Sequence, residues 1–337
     1  MQLLPKLHKS TLDFLQNSQN LLAFSAGVDS SALFFILQAY DIDFDLAMVD
    51  YNTRTQSKDE IIYAKELVKN SDKTLYLHSC KLNNSNFEHN ARIERYDFFE
   101  EVILNHDYDN LITAHQLNDK FEWFLMQLGR GSGLVELLGM QEIELGEKFN
   151  KVKPLLHISK QELSGFLKAN YIKSFFDKSN DSKKYFRNQI RSKYATSFVD
   201  EFQEGLIKSF KYLAEDKKLL LPEEMIKIKE LYVLKRDKID LKSIRQIDKI
   251  VKKIGILMSK TQRDEVLRTK DCVITDKITI VFTKDLIYIS PFEKTDMPKK
   301  FKELCRIEKI PSKIRPYLHK DEIDITSLKS QVQKLLS

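Results

Sequence analysis

Two groups of residues in this chain have the types and the spacing to do chemistry. The first is Ser25, Ala26, Gly27, Val28, Asp29 and Ser30. It lies between the apolar run Leu21 to Phe24 and residues at helical spacing, Ala32, Phe35, Ile36 and Ala39, which predicts strand, turn and helix. Small residues in such a turn let successive backbone N–H groups converge on an anion, and the helix N-terminus adds partial positive charge at the same point. Ser25 and Ser30 add hydroxyl donors. Asp29, an anion beside a phosphate site, is best used as a ligand for Mg²⁺ bridging to the phosphates. Alanine at position 26 is expected to keep a negative φ. The turn has neither the GK[ST] of a Walker A loop nor a GxGxxG pattern, and a plain helix-capping turn is the alternative.

The second group is Asp119 and Glu122, three apart on the helix expected after Leu111 to Ala114, so that both carboxylates share one face. Paired acids there could hold an ammonium group or accept its proton. His115, one residue past the strand, could donate from a ring nitrogen, although a lone histidine is more often structural. Arg187 and Arg191, four apart, point one way from a helix beginning near Lys183. With Asp177 and Asn180 upstream they suggest a lid over the site, or simply a basic connecting helix. Arg92 and Arg95 form a phosphate clamp or, equally, surface ion pairs with Glu88, Glu94 or Glu100. Arg54 sits at a strand exit with the same ambiguity. Four of the nine glycines (Gly129, Gly131, Gly133 and Gly139) surround Arg130 in a segment suited to close approach of backbone to phosphate or base, or to a flexible loop.

These residues need a scaffold that gathers them. Leu21 to Phe24, Leu46 to Tyr51, Thr74 to Leu77 and Leu111 to Ala114 are β-rich runs separated by helical patterns. That rhythm predicts an α/β fold with a mostly parallel, doubly wound sheet and ligand sites at the carboxyl ends of its strands. Ser57 with Glu60, and Ser159 with Glu162, read as capping boxes, and Lys153 to Ile158 as a further strand. Beyond Phe198 the pattern changes to helices over Phe202 to Leu221, Pro222 to Lys235 and Leu241 to Gly255, then a small meander from Cys272 to Pro291. The expected division is a catalytic domain over 1–200 and a helical and small β region over 201–337.

At 337 residues and 42% hydrophobic content the chain is long enough for about two domains. No apolar run is long enough for a bilayer and the N-terminus lacks signal-peptide organisation, so a cytoplasmic location with no membrane partner is expected. Cys80, Cys272 and Cys305 are odd in number and far apart, which fits neither a disulfide framework nor a CxxC pair. Residues 201–337 hold 31 Lys and Arg against 22 Asp and Glu, whereas the remaining 200 residues carry a slight negative balance. The positive field therefore belongs to the C-terminal part, where Lys299, Lys300, Lys302, Arg306, Lys309, Lys313, Arg315 and Lys320 could track an RNA backbone with Phe301 and Tyr317 available to pack or stack.

The turn resembles the SGGxDS loop of the PP-loop ATP pyrophosphatases. Taken together, SAGVDS, ARIERY, TAHQLNDKFEWFLMQLGRGSG, KPLL and DKSNDSKKYFRNQIR follow the order and spacing of the tRNA(Ile)-lysidine synthetases across most of residues 20–195. The departures are Ala26 for glycine, Tyr51 for histidine, Asn118 for the first acid of a DD pair and Trp123 for threonine. The resemblance implies ATP-dependent adenylation of the wobble cytidine of tRNA(Ile) with a CAU anticodon, followed by attack of free L-lysine and release of AMP. It gives Ser25 to Ser30 with Mg²⁺ the phosphates, Asp119 and Glu122 the lysine ammonium, and His115, Arg187 and Arg191 the adenylate or cytidine. It also implies tRNA binding by the C-terminal region. A PP-loop thiolating enzyme and a non-catalytic RNA-binding protein are the alternatives, and a homodimer is one of the states left open.

Overall fold

A computed structural model describes residues 1–52, 56–81, 87–176, 186–221 and 224–336. The chain forms two compact units, 1–214 and 215–337. The boundary expected at residue 200 lies inside a helix that runs from Thr196 to Leu220.

The first unit comprises, in order, α1 (Lys9–Gln16), β1 (Asn20–Ala23), α2 (Val28–Ala39), β2 (Asp45–Asp50), α3 (Gln56–Lys69), β3 (Leu75–Ser79), α4 (Phe87–Asn105), β4 (Asn110–Ile112), α5 (Leu117–Leu128), α6 (Leu134–Leu137), β5 (Ile143–Glu144), β6 (Asn150–Val152), α7 (Lys160–Ala169), α8 (Phe186–Ile190) and the greater part of α9 (Thr196–Leu220), whose last residues belong to the second unit. Its sheet has the order β3-β2-β1-β4-β6-β5, parallel except for the edge strand β5. Alternation along the strands covers both faces. Leu22, Leu46, Ile112 and Val152 meet α2, α3 and α7, while Leu21, Ala47 and Leu111 meet Phe99, Val102 and Ile103 of α4. The order reverses direction between β1 and β4, so the crevice of this doubly wound sheet opens where those strands end. Their register is pinned at the other end by an asparagine ladder, Asn110 Nδ2 donating to Asn20 Oδ1 (2.9 Å) and Asn150 Nδ2 to Asn110 Oδ1 (3.0 Å).

Two local expectations fail here. The strand placed at Lys153 to Ile158 ends instead at Val152, because Pro154 has no N–H for a ladder and the chain turns, with Ile158 N–H bonded to the Leu155 carbonyl. Ser57 lies within the first turn of α3 rather than capping it, whereas the Ser159 and Glu162 capping box forms as read.

The second unit holds β7 (Met225–Ile228), β8 (Leu231–Lys235), α10 (Asp240–Lys253), α11 (Lys260–Thr269), β9 (Asp271–Ile274), β10 (Ile278–Phe282), β11 (Leu286–Pro291), α12 (Lys299–Ile307), α13 (Arg315–Lys320) and α14 (Ile325–Leu336). The helix expected over Pro222 to Lys235 is an antiparallel hairpin, turned at Lys229, which has φ 53°. Its alternating Ile226, Lys227, Ile228 pattern has period two, and the lysines and glutamates disguised it as a helix surface. The sheet runs β7-β8-β11-β10-β9, with α10 and α11 packed on one face and α12, α13 and α14 on the other. Of the two roles open to Tyr317, packing or stacking, it takes the first: it is a core residue 3% exposed whose hydroxyl accepts the Glu230 N–H at 3.1 Å.

Candidate active site

The turn after β1 is held by its own side chains. Ser25 Oγ and Ser30 Oγ lie 3.1 Å apart, Ser30 Oγ accepts the Ser25 N–H, and the same hydroxyl is 3.2 Å from the Gly27 carbonyl. Gly27 precedes α2 with no side-chain cap, so the first N–H groups of the helix face whatever enters the turn. Ala26 adopts φ 57°, not the negative φ expected for a residue with a Cβ. That conformation costs an alanine about 1–2 kcal/mol. It is held because Ala26 is fully buried and its carbonyl accepts the Phe175 N–H at 2.9 Å, part of a parallel bridge between Gly27 and Phe175.

In the first turn of α2, Asp29 has a buried Oδ1 with no hydrogen-bond partner among the described residues. Burial pushes its pKa up to about 6, the Asp119 charge adds to the rise, and Lys160 and Arg191 oppose it. An orphaned, part-protonated carboxylate oxygen beside a phosphate turn fits a divalent cation, which takes carboxylate oxygen readily and would restore the charge.

Across the crevice α5 begins with Gln116 as N-cap, and Asp119 Oδ2 accepts the Gln116 N–H at 3.1 Å in a capping box. Glu122, one turn on, is 1% exposed. Both acids are already gripped. Arg187 Nε donates to Glu122 Oε2 (2.8 Å) and its NH2 to Asp119 Oδ1 (2.6 Å), while Arg191 Nε and NH2 donate to Oε1 (2.5 Å) and Oε2 (3.0 Å) of Glu122. The fork geometry suits guanidinium to carboxylate. Arg191 opens a π-helical turn, residues 191–195, between α8 and α9, and the Thr196 hydroxyl caps the Arg191 carbonyl.

His115 packs at the strand exit with Nδ1 2.9 Å from the Thr113 hydroxyl. Burial lowers its pKa, against the pull of Asp119, so the ring is neutral at pH 7. Arg92 and Arg187 also act on His115, and Arg95 on Tyr51, so both arginines of α4 face this end of the sheet. Of the partners expected for them, Glu94 pairs with His78 and Glu100 with Lys148, while the side chain of Glu88 lies outside the described residues. Arg92 instead lies over the Tyr96 ring, 4.8 Å from its centroid. Arg130 is exposed in the loop beyond α5. Arg54, Asp177 and Asn180 fall outside the described residues. Lys160, whose charge reaches Asp29, carried no motif in the sequence; its place just after the Ser159 cap was the available signal.

A PP-loop domain matches residues 2–197. A tRNA(Ile)-lysidine synthase of Campylobacter jejuni is 47% identical over 319 residues, covering 94% of this chain and 97% of that protein. Its namesakes in Wolinella succinogenes and Helicobacter pylori are each 40% identical, covering 92% of this chain and 95% and 92% of theirs. The chain belongs to the tRNA(Ile)-lysidine synthase family.

Within the lysidine synthase scaffold the unusual residues of this chain have structural partners. Asn118 Oδ1 accepts the Lys160 N–H at 3.0 Å and so ties α5 to the start of α7. The Tyr51 hydroxyl donates to the Ala91 carbonyl at 2.8 Å. Trp123 Nε1 donates to the Glu136 carbonyl at 2.9 Å, closing the glycine-rich loop against α5. Among the described residues no helix is long and apolar enough to cross a membrane, and all three cysteines are free.

Proposed function

We propose that this chain is a lysidine-forming ligase whose ATP occupies the Ser25 to Ser30 turn and whose second substrate, lysine, is received at Asp119 and Glu122. Lysidine formation on tRNA(Ile) with ATP as energy source is the activity of the family, and the sheet, the phosphate turn and the paired acids are all in place. The observation that supports the reading is the proximity of the two groups: the charges of Asp119 and Glu122 on α5 both reach Asp29 of the phosphate turn. Asp29 would hold Mg²⁺, which would supply positive charge to offset that of the pyrophosphate leaving group.

The chain's own residues do the rest. The turn's N–H groups and hydroxyls orient the phosphates, and neutral His115 offers a ring nitrogen to the activated base. Asp119 and Glu122 bind the ammonium and take its proton, since only the free amine attacks. The two acids are balanced by two arginines, so an incoming ammonium needs one of them to let go. Arg187, with its side chain 41% exposed, is the one placed to do so, and released from Asp119 it can contact the adenylate. Exposed Lys299, Lys300, Lys302 and Lys309 of the second unit are offered to the tRNA backbone.

Incubation with labelled lysine, ATP, Mg²⁺ and total tRNA should label a single tRNA(Ile) species bearing CAU. Label in no tRNA, or equal label without ATP, overturns the reading.

A further inference from the structure

Away from the crevice, three side chains from distant parts of the first unit converge on one point. His8 precedes α1, Glu142 precedes β5 and His157 lies in the turn before α7. One ligand atom from each lies within 4.8 Å of the others. His8 Nδ1 is 2.7 Å from Glu142 Oε2, and the His8 and His157 rings stack with centroids 3.7 Å apart at 20°. The Thr11 hydroxyl donates to the other oxygen of Glu142, fixing that carboxylate.

The decisive detail is the hydrogen bonding of His157. Its Nε2 lies 2.8 Å from the Lys6 carbonyl, which only accepts, so Nε2 carries the hydrogen and Nδ1 keeps a lone pair. That Nδ1 is buried and has no partner among the described residues. Burial also lowers the pKa of His157 and so keeps the ring neutral. A histidine whose outer nitrogen donates to a backbone carbonyl while the inner lone pair waits unpaired is arranged as a metal ligand with its orienting bond already made.

We propose that His8, Glu142 and His157 form a binding site for a transition-metal dication of the Zn²⁺ class. Two imidazoles and a carboxylate are a ligand set that Zn²⁺ accepts, with water as the fourth ligand. Ligand atoms around such an ion sit about 3.4 Å apart for bonds near 2.1 Å. Rotation of His8, whose side chain is 53% exposed, closes the difference. Binding displaces the proton shared between His8 and Glu142 to solvent. Lys120 opposes the ion: its charge reaches His8 and Glu142, and its ammonium lies over the Phe210 ring, 4.5 Å from the centroid.

The site's role is to fasten the N-terminal segment to the turn at 153–158. The Ile158 carbonyl in that turn accepts the Leu117 N–H at 3.0 Å, at the start of the helix bearing Asp119 and Glu122. A second cluster, His78, Cys80 and Glu94, also has metal-ligand types, but His78 Nε2 is satisfied by Glu94 at 2.9 Å and no orphaned atom points into it.

The test uses the full chain, stripped with a chelator and titrated with Co²⁺ under visible absorption, with Zn²⁺ as competitor. One equivalent should give the bands of four-coordinate Co²⁺ without a thiolate charge-transfer band, unchanged in Cys80→Ser. His157→Gln, Glu142→Gln and the surface change His8→Ala should each weaken binding tenfold or more, and Zn²⁺ should raise the Tm of the parent chain and of Cys80→Ser but not of these three variants. No stoichiometric Co²⁺, binding equal in His8→Ala, or a thiolate band abolished by Cys80→Ser overturns the proposal. Should the buried variants fail to fold, His8→Ala and Cys80→Ser decide it.

Discussion

Arg191 Nε stands 2.5 Å from Oε1 of Glu122, a carboxylate that is 1% exposed. A carboxylate so deep is tolerable only with its charge and lone pairs matched, so this pair sets the geometry of the site before any substrate arrives.

Removing one partner is therefore costly. Arg191→Ala should lower unfolding free energy by about 3 kcal/mol, because Glu122 is left with Arg187 alone. Arg191→Met combined with Glu122→Leu should recover most of that stability while remaining inactive. Urea unfolding curves with unchanged slopes check both.

Glu122→Gln should leave ATP binding intact and depress lysine transfer, because the amide keeps the shape but cannot take a proton. Arg187→Ala should cost less, about 1 kcal/mol of stability, its side chain being 41% exposed and Glu122 keeping Arg191. It should also lower the KM for lysine while reducing kcat, since the acids are freed but the adenylate loses a contact. A raised KM in Arg187→Ala would contradict the exchange of guanidinium for ammonium.

The Asp29 carboxyl, with its pKa pushed to about 6, binds its proton more tightly in the folded chain than in the unfolded one. The stability it contributes is fully present below the unfolded pKa near 4 and is lost as pH rises through 6. Asp29→Asn should thus have no effect near pH 4 and stabilise the nucleotide-free protein by about 2–3 kcal/mol above pH 7, while abolishing binding of ATP with Mg²⁺. Thermal melts of both proteins across that range, with and without Mg²⁺ and ATP, read both effects. In the parent chain nucleotide binding with Mg²⁺ should weaken as pH falls below 6.

At position 26 the left-handed backbone favours glycine. Ala26→Gly should be stabilising or neutral within about 1 kcal/mol, as strain relief competes with lost unfolded-state restriction. Ala26→Val, β-branched in a fully buried left-handed position, should cost about 2 kcal/mol or more.

Gly139 is required by its neighbour. A Cβ there would lie 2.5 Å from Trp123 Nε1, so Gly139→Ala must push the indole off the Glu136 carbonyl and loosen the loop around Arg130. Faster proteolysis within 129–139, with the rest of the chain unchanged, is the expected readout.

Much of this site could be read in the sequence because local spacing determines it. The turn between Phe24 and Ala32, the three-residue separation of Asp119 and Glu122 and the four-residue separation of Arg187 and Arg191 all survive folding as read. What could not be read is tertiary. Arg187 and Glu122 are 65 positions apart, and nothing local says that the arginines clasp the acids. The positive φ of Ala26 comes from pairing with Phe175, against the preference of alanine itself. Likewise, the hairpin at Met225 to Lys235 was hidden because charge density suggested a helix while the period of two said otherwise.

Trp123 is the single tryptophan of the chain and follows Glu122 directly, with its indole tied to the loop beyond α5. The chain therefore carries an intrinsic fluorophore next to Glu122 and the arginines that clasp it. Its emission should report rearrangement there in real time, so that arrival of the amino acid can be timed apart from nucleotide binding without attaching any dye.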